Sequence, residues 1–304
     1  MENTREKMFK SGFVTILGRP NVGKSTLLNA LVKSKVSIVS SVPQTTRFSI
    51  RGVLNLEGAQ IVFVDTPGIY YRGDSLAHHL NTIATKALEG VEEVLYVVDV
   101  SREVGRQEEE IMDVLVRQSI PVVMGLNKID LGEGFLNDYI NLWEEKKKTV
   151  KKDPLTYYIA ISAKTGKNLE RLIQALVEFL PQNPPFYSEK DLTDFPLKFR
   201  IADIIREKLF LNLKEELPFN LAVEVQDMED KGNVFYIQAN IYVNRDSQKG
   251  IIIGRNGKLI KDIGEVSRRE IEGIMKKKVY LQLWVKVLKM WQRNPRILKE
   301  LGYS

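Results

Sequence analysis

The sequence predicts an α/β domain, a mostly parallel six-stranded sheet with helices on both faces, followed by a smaller α+β domain. Three observations carry this. Short apolar strands and amphipathic helical stretches take turns from residue 13 to residue 180, a proline-rich stretch then interrupts them, and a different order of elements follows. Alternation of strand and helix at this spacing implies βαβ units, whose crossovers place helices on both faces of a parallel sheet.

The expected strands are residues 13–17, 48–54, 60–65, 93–99, 122–127 and 157–161, with helices near 24–33, 75–89, 107–118, 136–149 and 168–180. Residues 181–196 (PQNPPFYSEKDLTDFP) hold four of the eleven prolines. Proline removes a backbone donor and blocks helix and sheet alike, so this stretch reads as a stiff linker. The expected division is therefore 1–180, a linker at 181–197, and a second domain at 198–304. In that second domain the pattern predicts a helix near 198–213, strands near 219–227 and 233–243, helices near 247–253 and 257–275, and a strand at 279–287, where Val279, Leu281, Leu283 and Val285 alternate with polar or aromatic residues.

With 304 residues, 43% of them hydrophobic and 28% charged, the chain can fill the cores of about two domains. No apolar run approaches the roughly 18 residues of a membrane-spanning helix. The first ten residues (MENTREKMFK) carry no signal-peptide core, so a cytoplasmic protein is expected. There are no cysteines, which excludes disulfides, zinc–thiolate sites and thiol nucleophiles. Charge is uneven. Residues 241–304 hold 15 Lys/Arg against 6 Asp/Glu, whereas the other 240 residues hold 30 against 33. A basic last fifth on a slightly acidic body points to a polyanionic partner, with a solvated helix face as the alternative.

Residues 18–26 (GRPNVGKST) fit G-x-x-x-x-G-K-[ST] and lie between an expected strand and an expected helix, the setting this phosphate loop requires. Gly18, Asn21, Val22 and Gly23 let backbone N–H groups wrap phosphates, and the helix N-terminus entered by Lys24, Ser25 and Thr26 adds a positive dipole end. Lys24 reaches the β and γ phosphates and the Ser25 hydroxyl ligates Mg²⁺. Asp65-Thr66-Pro67-Gly68 closes the strand 60–65. A carboxylate there holds Mg²⁺ through water, and the Gly68 N–H meets the γ-phosphate. Asn127-Lys128-Ile129-Asp130 closes the strand 122–127. The two oxygens of Asp130 match the N1–H and N2 amino group of guanine, whereas adenine has an acceptor at N1 and no amino group at C2. A site built on such a group discriminates strongly. Ser162-Ala163-Lys164 follows the last strand, where a backbone N–H contacts guanine O6.

On these motifs the first ~180 residues resemble the P-loop GTPase superfamily, with its sequence elements in order. The second element then lies in residues 43–47 (PQTTR), and the resemblance implies that Thr46, rather than its neighbour Thr45, ligates Mg²⁺ and senses the γ-phosphate. The pattern departs after Asp65-Thr66-Pro67-Gly68: where the best-known members have a water-orienting glutamine, this chain has Ile69. Either hydrolysis is slow or another group assists. Asn21 matches the asparagine of potassium-activated relatives, which implies a K⁺ beside the phosphates, and Pro20 crowds the place of an arginine finger. His78 and His79 are assigned no role.

In the second domain Gly254-Arg255-Asn256-Gly257 lies between two expected helices. A GxxG alone is weak, since glycines cap helices widely. Its setting strengthens it: Lys249 and Gly250 on the approach, Ile251-Ile252-Ile253 before it, and Lys258 and Lys261 after it. This resembles a type II KH module, whose loop clamps about four single-stranded nucleotides. A GTPase domain joined to a KH module with an intact GxxG resembles the Era family of bacterial ribosome-assembly GTPases. GRPNVGKSTLLN, DTPG, NKID, SAKTG and SQKGIIIGRNGKLIKDIG carry the likeness, which covers essentially the whole chain. The resemblance implies a GTP/GDP switch that binds the 3′ region of 16S ribosomal RNA and acts on the 30S subunit, with weak association at the membrane. Two other readings stand beside it: a membrane-associated signalling GTPase with a lipid-binding basic end, and an RNA-binding scaffold with structural GTP. A monomer is expected. For the residues after Lys286, including Trp291, Arg293 and Arg296, an extension of the RNA surface and a helix packed back on the domain are both open.

Overall fold

The computed structural model describes residues 9–40, 42, 45–68, 82–84 and 86–303. The expectations on Pro43, Gln44, Ile69, His78 and His79, and part of the helix expected at 75–89, lie outside the described residues. The chain divides into two compact units with the boundary between Asp194 and Phe195, and the segment Ile38–Thr45 clusters with the second.

In the first unit the described elements are β1 (Lys10–Leu17), α1 (Lys24–Val32), β2 (Ile50–Leu56), β3 (Ala59–Asp65), β4 (Glu93–Asp99), α2 (Arg106–Leu115), β5 (Val122–Asn127), α3 (Leu136–Lys146), β6 (Leu155–Ala160) and α4 (Leu169–Phe179). They build one six-stranded sheet of order β2-β3-β1-β4-β5-β6. All pairs are parallel except β2 with β3. Every residue of β3, β4 and β5 is buried, the signature of strands covered on both faces. β1 lies between β3 and β4, so strand order reverses at its carboxyl end. Open α/β sheets bind ligands at that switch point, and Gly18 stands there.

The proline-rich stretch forms no helix, but it is no free spacer: its residues through Asp194 pack with the first unit. Ser11 Oγ donates to the Pro184 carbonyl (2.7 Å) and Gln60 Nε2 to that of Tyr187 (2.8 Å), while the Val53 N–H on edge strand β2 donates to Leu192 (2.9 Å). The stretch thus occupies donors that an exposed edge would offer to another chain.

The second unit contains α5 (Leu197–Asn212), β7 (Ala222–Asp230), β8 (Val234–Val243), α6 (Asp246–Ile253), α7 (Lys258–Met275), β9 (Lys278–Val287) and α8 (Pro295–Glu300). The sheet order is β7-β8-β9, antiparallel then parallel. Ile263, Ser267 and Ile271 recur every four residues along α7 and are buried, as the helical period requires for one face on a core. The tail packs back: Trp291 is fully buried, its Nε1 donates to the Asn220 carbonyl (3.1 Å), and its ring lies 6.3 Å from that of Tyr303. Arg293 and Arg296 remain exposed.

Candidate functional site

The loop between β1 and α1 turns through two left-handed positions, Asn21 (φ 65°) and Gly23 (φ 101°). A Cβ on Gly23 would come within 2.5 Å of Asn127 Nδ2, so glycine serves both the backbone angle and the close approach. Lys24 begins α1, is buried, and donates from Nζ to the carbonyls of Gly18 and Arg19 (both 2.9 Å), which holds the ammonium inside the loop. Burial pushes the Lys24 ammonium down to about 8, against the opposing pull of Asp65. Thr26 follows, half-buried in the first turn.

Four oxygen-bearing side chains meet beside Lys24. Ser25 Oγ donates to Asp65 Oδ2 at 2.7 Å and lies 2.9 Å from Thr46 Oγ1. Ser37 Oγ donates to the same carboxylate oxygen (2.9 Å). Burial pushes the Asp65 carboxyl up, countered by Lys24 and by hydrogen bonds from Ser25, Ser37 and Thr46. Asp65 Oδ1 is buried with no hydrogen-bond partner. One carboxylate with an unpaired oxygen plus two hydroxyls fits a hard divalent cation of the Mg²⁺ kind. Among the described residues no three His, Asp or Glu gather to hold a metal alone, so the remaining ligands fall to substrate phosphate and water. Thr45 points elsewhere, its Oγ1 hydrogen-bonded to Ser40 Oγ (3.1 Å) and the Val42 carbonyl, which separates the two threonines. Gly68 lies against Pro20, with no space for a Cβ.

At the other end of the loop, Asn127 Nδ2 donates to the Val22 carbonyl (2.7 Å) and its Oδ1 accepts from the Ala163 N–H (2.9 Å). Lys128 Nζ donates to the Asn21 carbonyl (2.8 Å) and to Asp99 Oδ2 (2.6 Å). Burial works against the Asp99 carboxylate, but hydrogen bonds from Lys128 and Ser101 hold it below its usual range. Asp130 is exposed and accepts at Oδ1 from Ser162 Oγ (2.6 Å), with Lys164 also exposed beside Ala163. All the nucleotide residues expected from sequence thus converge at the carboxyl ends of β1, β3, β5 and β6. Sequence reasoning assigned no role to Asp99, Ser37 or Asn29, although Asn29 accepts from the Val36 and Ser37 N–H groups (2.9 and 3.0 Å) and so shapes the approach to Ser37. Asp99 had a signal: like Asp65, it is an acidic residue closing an apolar strand.

In the second unit Gly254 (φ 73°), Asn256 (φ 53°) and Gly257 (φ 73°) all take left-handed backbone. A Cβ on Gly254 would come within 2.8 Å of Leu259 Cβ. Arg255, Asn256, Lys258 and Lys261 are exposed, Lys249 and Ile253 half-buried, and Gly250 exposed. A groove of about 490 Å³ runs between α7 and β9, lined by Ile260, Gly264, Leu281 and Leu283 with Lys261 and Arg268. Apolar lining beside cations suits bases and phosphates. Of these residues the sequence analysis assigned a binding role only to Lys261, and named Leu281 and Leu283 only as members of an alternating strand.

Residues 13–128 match the family model described as 50S ribosome-binding GTPase, and residues 216–292 match that of the KH domain. Among curated proteins, GTPase Era of Geobacter metallireducens is 44% identical over 299 residues, covering 97% of this chain and 98% of that protein. Among solved structures, Era in complex with MgGDPNP and nucleotides 1506–1542 of 16S ribosomal RNA is 38% identical, with a TM-score of 0.90 over 97% of this chain and 99% of that one. A point variant of Aquifex aeolicus Era bound to GDP·AlF₄⁻ has the same identity and TM-score, covering 97% and 100%.

Proposed function

The chain belongs to the Era family of GTPases, and we propose that it couples GTP hydrolysis to binding of the 3′ region of 16S ribosomal RNA during assembly of the 30S subunit, in the cytoplasm. The observation that carries the reading is the joint presence of two geometries on one chain: Ser25, Thr46 and Asp65 gathered within hydrogen-bond distance, and a GxxG with left-handed glycines flanked by exposed cations. The Era structure holding both MgGDPNP and 16S ribosomal RNA supports the pairing.

In this reading the loop N–H groups and Lys24 bind the phosphates, and Asp130, steadied by Ser162, selects guanine. Ser25, Thr46 and Asp65 hold Mg²⁺, which supplies positive charge against the phosphate oxygens. Water supplies the incoming oxygen at the γ-phosphorus, and the bond to the β–γ bridging oxygen breaks. The Thr46 and Gly68 segments respond to the γ-phosphate, as loops of this kind order and release with it. Arg255, Lys258 and Lys261 meet RNA phosphates, while the groove between α7 and β9 takes bases.

Single-turnover hydrolysis of GTP, with and without RNA copied from the 3′ end of 16S ribosomal RNA, tests the reading. Measurable turnover that the RNA changes supports a coupled enzyme. Negligible turnover in both cases leaves a scaffold with structural GTP.

A further inference from the structure

The phosphate loop is held in two halves. Asn127 donates to the Val22 carbonyl and Lys128 to that of Asn21, which ties the second half to the end of β5. The carbonyls of the first half, Gly18 and Arg19, accept from Lys24, which belongs to the loop itself. A side-chain tie from this half to the flank of the domain comes from Arg19. Its Nε forms an ion pair with Glu108 Oε1, and the two side chains are 18% and 1% exposed. Glu108 is itself anchored. Its Oε2 accepts from the Gly105 N–H (3.2 Å), capping the first turn of α2, and Ile111, Met112 and Leu115 root that helix in the core. Tyr139 of α3 is buried against the same pair: burial and the Glu108 carboxylate push its phenol up, and Arg19 opposes them.

A buried ion pair contributes little net stability, because both ions lose their water, and apolar residues of similar volume often hold a fold as well. What such a pair supplies is direction. A guanidinium is a rigid planar fork, and a carboxylate that is anchored in turn gives it one orientation. That orientation fixes the Arg19 backbone, whose carbonyl takes one of the two hydrogen bonds holding the Lys24 ammonium inside the loop. It also fixes Pro20, the next residue, against which Gly68 lies. Lys24 and Gly68 are the groups expected at the γ-phosphate, so a small shift in this half of the loop is felt at the reacting atoms. A misplacement of about 1 Å can cost about 100-fold in rate.

We infer that Arg19 is a positioning residue for GTP hydrolysis, acting through its carbonyl on Lys24 and through Pro20 on Gly68, with Glu108 as its anchor. The inference deepens the GTPase reading of the site and rests on it. Holding the phosphates needs only that the loop wraps them, whereas acceleration needs groups placed for the transition state. The pair therefore matters more for turnover than for affinity.

The test compares the full chain with two variants, Glu108→Gln and the double variant Arg19→Met/Glu108→Gln. Glutamine keeps the cap on Gly105 and nearly the same volume, and the double variant leaves no unpaired buried charge. Three quantities are measured: the midpoint of chemical denaturation, the Kd for a non-hydrolysable GTP analogue, and the single-turnover rate of GTP hydrolysis with saturating Mg²⁺. Both variants should unfold near the parent midpoint and keep Kd within about threefold, while the single-turnover rate falls about tenfold. The inference is overturned if a variant with the parent's midpoint hydrolyses GTP at the parent's rate, or if Kd rises by as much as the rate falls. It is also overturned if both variants fail to fold, which would make the pair a structural element only. A parent protein that does not hydrolyse GTP overturns the GTPase reading itself.

Discussion

Asn127 Nδ2 donates a 2.7 Å hydrogen bond to the carbonyl of Val22, tying the strand end that carries Asp130 to the phosphate loop. The same side chain accepts from the Ala163 N–H, so one buried amide joins three segments that are distant in sequence. Replacing Asn127 with Ala strands two buried backbone groups at about 1–3 kcal/mol each. The expected outcome is at least a tenfold loss of GTP affinity together with a lower midpoint of chemical denaturation. Unchanged nucleotide affinity would show that the loops hold their places without this residue.

Lys24 gives the site a pH signature. Its ammonium is buried and, without nucleotide, titrates at about 8 instead of 10.5. The sign is that of a folded state with fewer bound protons than the unfolded chain. The burial penalty is therefore full below pH 8, and ligand-free stability from this group rises between about 8 and 10.5. Phosphates favour the charged form, so nucleotide binding takes up a proton as pH passes 8, and affinity falls above that pH by up to about tenfold per unit. Calorimetry at pH 8.5 in two buffers of different ionisation enthalpy should give different binding heats. Identical heats would mean that Lys24 stays charged in the free protein.

Much of this was legible in the sequence because it depends on local pattern. The loop of residues 18–26 declares itself by glycine spacing between a strand and a helix, and β4 and β5 fall on the residues expected for them. What escaped depends on tertiary neighbours. Ser37 reaches Asp65 only because Asn29 turns the chain after α1, and the groove beside α7 needs β9 brought alongside it. The proline-rich stretch reads as a spacer from its composition, yet Gln60 and Val53 supply hydrogen-bond donors that draw it onto the first unit. The fate of the tail turned on Trp291: a lone aromatic among basic residues suits stacking on RNA or burial, and its path to the Asn220 carbonyl decides for burial.

Asp130 should set base choice. A carboxamide in its place would present one donor and one acceptor instead of two acceptors, a mismatch for the paired N–H groups of guanine. Asp130→Asn is expected to weaken GTP binding by about 100-fold. Xanthine carries a carbonyl where guanine has its amino group, so xanthosine triphosphate should bind the variant better than GTP does. Competition binding with both triphosphates measures this, and retention of guanine preference would remove Asp130 from the selectivity account.

Asn21 stands at a left-handed position of the phosphate loop, half-buried, with its carbonyl held by Lys128. We propose that K⁺ binds at this asparagine, where a monovalent cation would supply charge that an arginine brings in other GTPases. Replacing K⁺ by Na⁺ at constant ionic strength is expected to lower turnover about tenfold. Equal rates in the two salts would dismiss the cation.

The most direct test of the central claim is equilibrium binding of fluorescent single-stranded RNA copied from the 3′ end of 16S ribosomal RNA. It is run with a non-hydrolysable GTP analogue and with GDP, at one fixed salt concentration, because RNA affinity depends on salt. Tight, sequence-selective binding is expected with the GTP analogue, and at least tenfold weaker binding with GDP. Weak binding that ignores both sequence and nucleotide would contradict it, leaving a GTPase whose basic second domain serves a lipid or protein partner.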